Sequence, residues 1–297
     1  MGHSGIIICY QTFCCVGVIF LFTLLSFEEK EKKSFPFALG KGSVAETYTE
    51  SGGITAKKIT CVIKNGRINR EKLLKKLDGE KLVVCDRERK SLLPAGVRCF
   101  SDRKLRERLC GNFAVAAAQR MRRENTNVKI GLFDPDGENS DLPAFLLDCT
   151  RNLTVVTYAP EIYSPCADMM LEEKGAVFSL SSNIGDLENC DFVIALEPIR
   201  EKIYPKGNCV IISSDKPSVP LQCQCYWDYS VDVPEQYKKL RPKDVPEITF
   251  CGALFELCGV YELGSQIPLV CRNSTTANTA ASMGTYCANI ESRHSAL

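Results

Sequence analysis

The feature that most constrains the fold is an alternation of short apolar runs with helical patterns between residues 58 and 217. Runs such as "KITCVIK", "VKIGLF" and "NCVIISS" are rich in β-branched residues and have few polar positions. Such runs are typical of strands that are covered on both faces, as in a parallel sheet. The helical stretches between them favour βαβ units with right-handed crossovers. The sequence therefore predicts an α/β fold with a doubly wound, mostly parallel sheet.

Composition and pattern divide the chain into six parts. We predict a hydrophobic helical segment (1–27), a linker (28–57), a first α/β unit (58–126), a second α/β unit (127–217), an irregular and helical region that packs on the sheet (218–271) and a flexible tail (272–297). The linker and the tail are assigned from their polar, Gly- or Ser/Thr-rich composition. The clearest helix is predicted over 101–125, with Ser101 as its N-cap and an apolar residue at every fourth position.

The N-terminal segment contains a run of 23 residues, 5–27, without a charged side chain. A helix of that length can span a hydrocarbon core of about 30 Å. The run lacks the basic start and the small-residue cleavage site of a secretory signal peptide. Lys30, Lys32 and Lys33 follow it, and positive residues stay on the cytoplasmic side. We therefore expect a membrane anchor with the domain in the cytoplasm; the alternative is an extension of a soluble cytoplasmic protein.

Charge gives no indication of a nucleic-acid partner. The formal net charge is +1, so the chain as a whole has no strong attraction to nucleic acid. Its basic runs, at residues 102–108 and 120–125, contain no interleaved aromatic residues. Such runs are typical of a solvated helix face. We expect no nucleic-acid binding.

The 17 cysteines lie mostly inside apolar runs, where they act as small hydrophobic residues. The chain has no C-x-x-C pair, and its nearest approach is Cys223-Gln224-Cys225. The two histidines, His3 and His294, lie near the ends. We therefore expect reduced thiols, no structural disulfide, no bound metal and no histidine-based catalysis.

The strongest candidate site is the loop "DPDGEN", residues 134–139, which follows a predicted strand and precedes a predicted helix. In parallel α/β sheets, ligands bind beyond the carboxyl ends of the strands. We therefore predict that a nucleotide or another small ligand binds there. The candidate binding residues come from this strand and loop and from the end of the next strand: Gly131, Asp134, Gly137, Thr157 and Tyr158.

Residues 128–196 resemble the Rossmann-like NAD(P)-binding superfamily in the order and lengths of their elements. The stretch "DLENCDFVIALEP", residues 186–198, looks like the fourth strand of such domains with its lead-in. This resemblance implies a nucleotide cofactor at the turn after the first strand. That turn reads "GLFDPDG" here instead of G-x-G-x-x-G, so a proline removes one amide donor and acids face the phosphate position.

The stretch "IGLFDPDGEN" also looks like the first motif of the haloacid-dehalogenase-like hydrolases, an apolar strand followed by D-x-D-G-T. That resemblance implies a magnesium-dependent phosphohydrolase, with Asp134 as nucleophile and Asp136 as general acid and base. It also implies Thr157 as a further hydroxyl group and Asp215 as a late metal ligand. Glu138 stands where the family has threonine.

A third interpretation is that the loop is only a structural connection. Asp, Pro and Gly are common turn-forming residues, and acids at a helix N-terminus interact favourably with the helix dipole. The loop would then be a tight connection in a module that is not an enzyme. The sequence alone leaves these three interpretations open.

Overall fold

A computed structural model of the chain describes residues 20–29, 42–123 and 127–289. The architecture is mixed α/β. The strands are β1 (Phe20–Glu29), β2 (Val44–Ser51), β3 (Ile54–Ile63), β4 (Leu82–Val83), β5 (Arg98–Cys99), β6 (Lys129–Phe133), β7 (Asn152–Val156), β8 (Ser179–Ser181), β9 (Phe192–Ala195), β10 (Val210–Ser213), β11 (Gln224–Tyr226), β12 (Asp228–Tyr229), β13 (Cys271–Arg272) and β14 (Ala277–Asn278). The α-helices are α1 (Arg70–Leu77), α2 (Arg103–Arg122), α3 (Leu142–Leu147), α4 (Pro160–Lys174), α5 (Glu247–Leu257) and α6 (Ala280–Ala288).

Six strands form the main sheet in the order β11-β10-β9-β6-β7-β8, and every neighbouring pair is parallel. The chain enters at the centre with β6, moves outward to β8, and returns to the other side of β6 with β9. The strand order therefore reverses between β6 and β9. The loops that follow these two strands leave the sheet at its carboxyl edge, which is where ligands bind in open parallel α/β sheets. The predicted α/β fold with a parallel sheet is confirmed.

The two faces of the main sheet are covered differently. On one face, strand residues such as Leu132 and Ile194 pack in a core with residues of α2, α3, α4, α5 and α6. On the other face, Phe133 and Ile211 pack with a 3₁₀-helix, Ile184–Asn189, and with irregular chain. Helices therefore cover one face of the main sheet. The predicted doubly wound arrangement would have helices on both faces. The connections β9–β10 and β10–β11 each contain two prolines, which disfavour a crossover helix.

A second sheet, in the order β2-β3-β1, lies before the main sheet in sequence. Strand β1 runs parallel to β3, while β2 runs antiparallel to β3. On its other side β1 exchanges two backbone hydrogen bonds of 2.9 Å with Val84, which follows β4. Strand β1 therefore has partners on both sides and lies in the interior of this N-terminal sheet.

The predicted hydrophobic helix over residues 5–27 is wrong for residues 20–27, which belong to β1. Leu24 and Leu25 are both fully buried and point into two different cores. A strand that is covered on both faces needs an apolar run, and such a run has no periodicity to distinguish it from a buried helix. The rest of the predicted helix lies outside the described residues. In the described ranges, no helix combines the length and the apolar character that a membrane crossing requires.

The predicted linker, residues 28–57, contains a β-hairpin. Strand β2 and the first part of β3 lie in it, and residues 30–41 are outside the described part of the chain. Gly52 and Gly53 join the two strands, with φ angles of 60° and 76° that favour glycine. The glycine pair therefore marks a tight turn instead of a flexible connection.

The predicted tail, residues 272–297, contains β14 and α6 before the described residues end at Asn289. Helix α6 begins with a capping box between Thr279 and Ser282. Met283 on α6 is 2% exposed and belongs to the same core as α2. The small residues of this segment therefore allow α6 to pack closely on α2. We had predicted a flexible tail here.

Two helical glycines provide a matched test of this packing. A Cβ added to Gly111 in α2 would lie 3.8 Å from the nearest atom of Leu142, an ordinary contact. Gly111→Ala should therefore raise the free energy of unfolding by about 1 kcal/mol. A Cβ added to Gly284 in α6 would lie 2.5 Å from the Ala117 carbonyl oxygen. Gly284→Ala should lower the free energy of unfolding by about 1–3 kcal/mol.

Urea denaturation of the wild type and the two variants measures both changes. The two changes in the free energy of unfolding should have opposite signs, because the two positions have similar helical backbones and differ in the space around them. Equal stabilisation by the two substitutions would contradict the close contact of α6 with α2.

Candidate functional site

Four charged side chains meet at the carboxyl edge of the main sheet, where the strand order reverses. Asp136 lies in the loop after β6, Glu197 in the loop after β9, and Arg103 and Glu107 in the first turns of α2. The Arg103 Nη2 atom donates to Glu197 Oε1 at 2.8 Å and lies 3.4 Å from Asp136 Oδ2. The Arg103 Nε atom donates to Glu107. We name these four residues the switch-point cluster.

The switch-point cluster places three carboxyl groups around one guanidinium. Burial raises the pKa of Glu107 to about 7, although the Arg103 charge opposes the shift. Burial also raises the pKa of Glu197; Arg103 again opposes this, and contact with the Asp136 carboxyl adds to the rise. The charge of Arg200 also lowers the pKa of Glu197, so two guanidinium groups act on the three carboxyl groups. When all three carboxyl groups are ionised, an additional cation beside them would be favourable.

The raised pKa of Glu107 predicts a pH dependence of stability. Between its ordinary value of 4.5 and about 7, the folded chain holds a proton that the unfolded chain releases. The stability from this proton is complete below about pH 4.5 and is lost as the pH rises through about 7. Glu107→Gln keeps a neutral side chain at every pH. The variant should be more stable than wild type at pH 8, by up to about 3 kcal/mol, and should match it near pH 4.5.

Urea denaturation between pH 4.5 and pH 8 tests this expectation. Glu161→Gln, at an exposed position of α4, is the control and should follow the wild-type pH dependence. A Glu107→Gln variant that keeps the wild-type pH dependence would show that Glu107 does not hold the proton.

Asp134 is buried and closes its own loop. Its Oδ2 atom accepts hydrogen bonds from the Asn139 amide at 2.8 Å and from the Tyr163 hydroxyl at 2.7 Å. Burial raises the pKa of Asp134, and these two hydrogen bonds oppose the shift. Asp136, two residues later, is exposed and faces Arg103. The two acids of the loop therefore have different partners and do not form one pair.

The other two residues proposed for phosphoryl transfer, Thr157 and Asp215, also have different contact partners. The Thr157 hydroxyl donates to the Pro135 carbonyl at 3.3 Å, and Asp215 pairs with Arg87 at 2.9 Å. In the part of the chain that the structure describes, no three His, Cys, Asp or Glu side chains are placed to hold a metal ion. The geometry thus gives no support to the magnesium-dependent interpretation.

The two glycines that we predicted to bind the ligand allow close packing, one inside β6 and one in the loop after it. A Cβ on Gly131, inside β6, would lie 2.7 Å from Leu187 and 2.9 Å from Cys190 in the segment that covers this face. Gly137 has a φ of 71°, and a Cβ there would lie 3.1 Å from Ile162. Both positions therefore require glycine for structural reasons.

The two predicted residues after β7 differ in exposure. Thr157 is fully buried, whereas Tyr158 is 53% exposed. The Tyr158 hydroxyl donates to Glu201 Oε1 at 3.1 Å, and its amide donates to the Pro135 carbonyl at 2.9 Å. Tyr158 therefore connects the loops after β6, β7 and β9 and lies where a ligand at this edge can reach it.

A second charged cluster adjoins the first. Asp102 is fully buried, and its Oδ1 accepts from Arg106 Nε at 2.9 Å and also from Arg87. Its Oδ2 accepts from the Thr249 hydroxyl at 2.8 Å, and Arg87 also binds Asp215 after β10. We name these five residues the Asp102 cluster. It connects α2 with α5, the loop after β10 and the segment after β4.

Three residues of the switch-point cluster were not predicted from the sequence: Arg103, Glu107 and Glu197. Glu197 lies just after β9, in the stretch 186–198 that we compared to a strand with its lead-in, so the rule that identified Asp134 also applies to it. Arg103 and Glu107 lie in a basic run that we interpreted as a solvated helix face. Only their spacing of four residues indicates an ion pair within the helix.

Two grooves flank the connection between β10 and β11, and no residue of the switch-point cluster lines either of them. One has a volume of about 560 Å³ and is lined by residues that include Cys223 and Trp227. The other has a volume of about 400 Å³ and is lined by residues that include Tyr204. They share Val219 and Leu221 in their walls. Neither groove brings carboxylates together, so the switch-point cluster is the stronger candidate for specific recognition.

No family model matches the chain, and no curated protein shows significant similarity to it. Function is therefore inferred from the strand order and from the chemistry of the carboxyl edge.

Proposed function

We propose that the protein is a Rossmann-like small-ligand-binding module whose ligand binds at the switch-point cluster. From β8 to β11, the main sheet follows the 3-2-1-4-5-6 order typical of dinucleotide-binding folds. In such sheets the ligand lies in the crevice where the order reverses. In this chain, Asp136 and Glu197 meet Arg103 at that crevice.

The ligand that fits this crevice best carries an amine or another small cation. The observation that supports this class is that the Asp136 and Glu197 carboxyl groups both lie beside the Arg103 Nη2 atom, at 3.4 Å and 2.8 Å. An ammonium group can donate hydrogen bonds to both carboxylates and offset their repulsion. The Asp136 side chain is 59% exposed, so a ligand can reach the pair from solvent.

A dinucleotide is the second candidate, and the strand order favours it. The loop after β6, however, has few free amides for a pyrophosphate. Pro135 has no N–H, the Gly137 amide donates to the Asp134 carbonyl at 3.2 Å, and the Asn139 amide donates to the Asp134 carboxylate. A phosphate group in this crevice would also meet the carboxylates of the switch-point cluster. We therefore place the dinucleotide second.

Calorimetric titration tests the two candidates, with putrescine as the amine probe and NAD as the dinucleotide probe. At pH 8 we expect putrescine to bind the wild-type protein and NAD to give no binding heat. Asp136→Asn and Glu197→Gln should each weaken putrescine binding at least about tenfold, since a hydrogen bond to a charged group contributes about 1.5–3 kcal/mol.

Glu161→Gln is the control for a general loss of negative charge and should bind putrescine like the wild type. Putrescine binding that survives both substitutions in the switch-point cluster would contradict the site. NAD binding with no putrescine binding would favour the second candidate.

We also propose that the domain works in a reducing compartment, with the cytoplasm as the expected one. All 14 cysteines within the described ranges are free thiols, and most of them are buried in the core. Disulfides are rare where glutathione and thioredoxin keep thiols reduced. Titration of free thiols in the denatured, unreduced protein purified from cells should approach the full 17.

A further inference from the structure

Two cysteines at the ends of neighbouring strands place their sulfur atoms close together. Cys85 follows β4 and Cys99 ends β5, and these strands are parallel partners. The two Sγ atoms are 3.3 Å apart. A disulfide needs a separation of about 2.05 Å, so little more than about 1 Å of movement separates the thiols from a covalent bond.

The two thiols differ in access and in chemistry. Cys85 is fully buried, whereas Cys99 is partly exposed on a strand that pairs with β4. The hydrogen bond from Cys85 and the nearby charge of Arg87 lower the pKa of Cys99 to about 7, although burial opposes the shift. The same hydrogen bond and burial raise the pKa of Cys85. Cys99 is therefore the sulfur that forms a thiolate, and Cys85 is the thiol that stabilises it.

A third cysteine of the same core shows that burial alone does not create such a thiol. Cys61 is fully buried in the core that also contains Cys85. Burial raises the pKa of Cys61 to about 11, so it remains protonated at neutral pH. The reactive character of Cys99 follows from its neighbours, Cys85 and Arg87.

We propose that Cys85 and Cys99 form a reversible redox site that reacts with small aliphatic disulfides of the glutathione type. The Cys99 thiolate attacks one sulfur of the small disulfide, whose S–S bond breaks and releases one thiolate. Cys99 is then held in a mixed disulfide. Cys85 loses its proton to solvent and attacks Cys99 Sγ, so the mixed disulfide breaks and the second thiolate leaves. The protein loses two electrons and two protons, and the small disulfide becomes two thiols.

Peptide mapping of the full chain tests the proposal, because trypsin separates the two cysteines. Cleavage after Lys81, Arg87, Arg98 and Arg103 gives the peptides 82–87 and 99–103, with one cysteine in each. The folded protein is treated with oxidised glutathione at pH 7.5, and remaining thiols are blocked with N-ethylmaleimide. The expected main product is peptide 82–87 joined to peptide 99–103, two hydrogens lighter than their sum. Dithiothreitol should reverse it.

Three variants assign the roles. Cys85→Ser should retain glutathione on peptide 99–103, because the resolving thiol is missing. Cys99→Ser should leave peptide 82–87 free of glutathione. Cys61→Ser is the control and should form the joined peptides as the wild type does. A stable glutathione adduct on wild-type Cys99, or blocked and unlinked peptides in the wild type, would overturn the proposal.

A measurement on the unmodified chain makes the test independent of variant folding. The rate at which iodoacetamide alkylates Cys99 should be half-maximal near pH 7, and Cys99 should react about tenfold faster at that pH than a free cysteine with an ordinary pKa of about 8.5. A half-maximal rate at or above about pH 8.5 would contradict the role of Cys99 as the attacking thiolate.

Discussion

Asp102→Ala is expected to lower the free energy of unfolding by about 3–5 kcal/mol. Asp102 is fully buried and accepts hydrogen bonds from Arg87, Arg106 and Thr249. Its removal leaves two guanidinium groups without their shared partner, and Arg106 is only 13% exposed. Removal of one member of a buried ion pair lowers the free energy of unfolding by more than the ion pair contributes, because the remaining charge is uncompensated.

Equilibrium denaturation in urea measures the change, and Asp215→Ala is the matched control. Asp215 also binds Arg87, but its side chain is 41% exposed. Exposed ion pairs contribute little, so the control should lose less than about 1 kcal/mol. Equal losses in the two variants would show that Asp102 is not the buried centre of the Asp102 cluster.

Leu24→Ala is expected to lower the free energy of unfolding by about 2–5 kcal/mol. Leu24 is fully buried in β1 and belongs to the core that includes Leu105 and Phe113 of α2. Truncation removes apolar contacts and leaves a cavity that the surrounding strands can fill only in part. The effect follows from the position of β1 inside the N-terminal sheet.

Leu21→Ala provides the control in the same strand. The Leu21 residue is 56% exposed, so its truncation should change the free energy of unfolding by less than about 0.5 kcal/mol. An anchor that only holds the chain at a membrane would make the two substitutions equally harmless to the folded domain. Two small and equal changes in urea denaturation would therefore contradict the assignment of β1 to the sheet.

The parts of the fold that local sequence signals determine were predictable. Helix α2 lies within the helix that we predicted over 101–125. Gly175 ends α4 with a φ of 60°, a conformation that glycine adopts readily. Strands β6 and β10 lie within the apolar runs "VKIGLF" and "NCVIISS". Apolar runs between turn residues indicate buried strands, and a C-terminal glycine indicates a helix end.

The errors lie where tertiary contacts decide the structure. An apolar run of more than 18 residues favours a membrane helix when it is considered alone. The burial of Leu24 and Leu25 on opposite faces of one strand depends on partners from α1 and α2, which no local pattern shows. Helix α6 has the small residues of a loose tail, and its order depends on close contact with α2.

The position of the candidate site could be predicted from the sequence, but most of the residues that form it could not. The rule for parallel sheets predicted a site at the carboxyl edge, in the loop that contains Asp136. The same loop also contains Asp134, whose burial by Tyr163 and Asn139 depends on the fold. Arg103 reaches the edge because α2 begins there, although it lies 33 residues before Asp136 in the chain.

The pH dependence of amine binding tests most directly whether the carboxylates of the switch-point cluster bind a cation. Putrescine remains protonated between pH 5.5 and pH 8, because amine pKa values lie near 10. Burial raises the pKa of Glu107 to about 7, so this group is mostly protonated at pH 5.5 and mostly ionised at pH 8. Burial also raises the pKa of Glu197.

Calorimetric titration of the wild-type protein at the two pH values should therefore give a dissociation constant at least about tenfold lower at pH 8 than at pH 5.5, with protons released on binding near pH 7. The same dissociation constant at both pH values, with no proton release, would contradict the assignment of the ligand to the switch-point cluster.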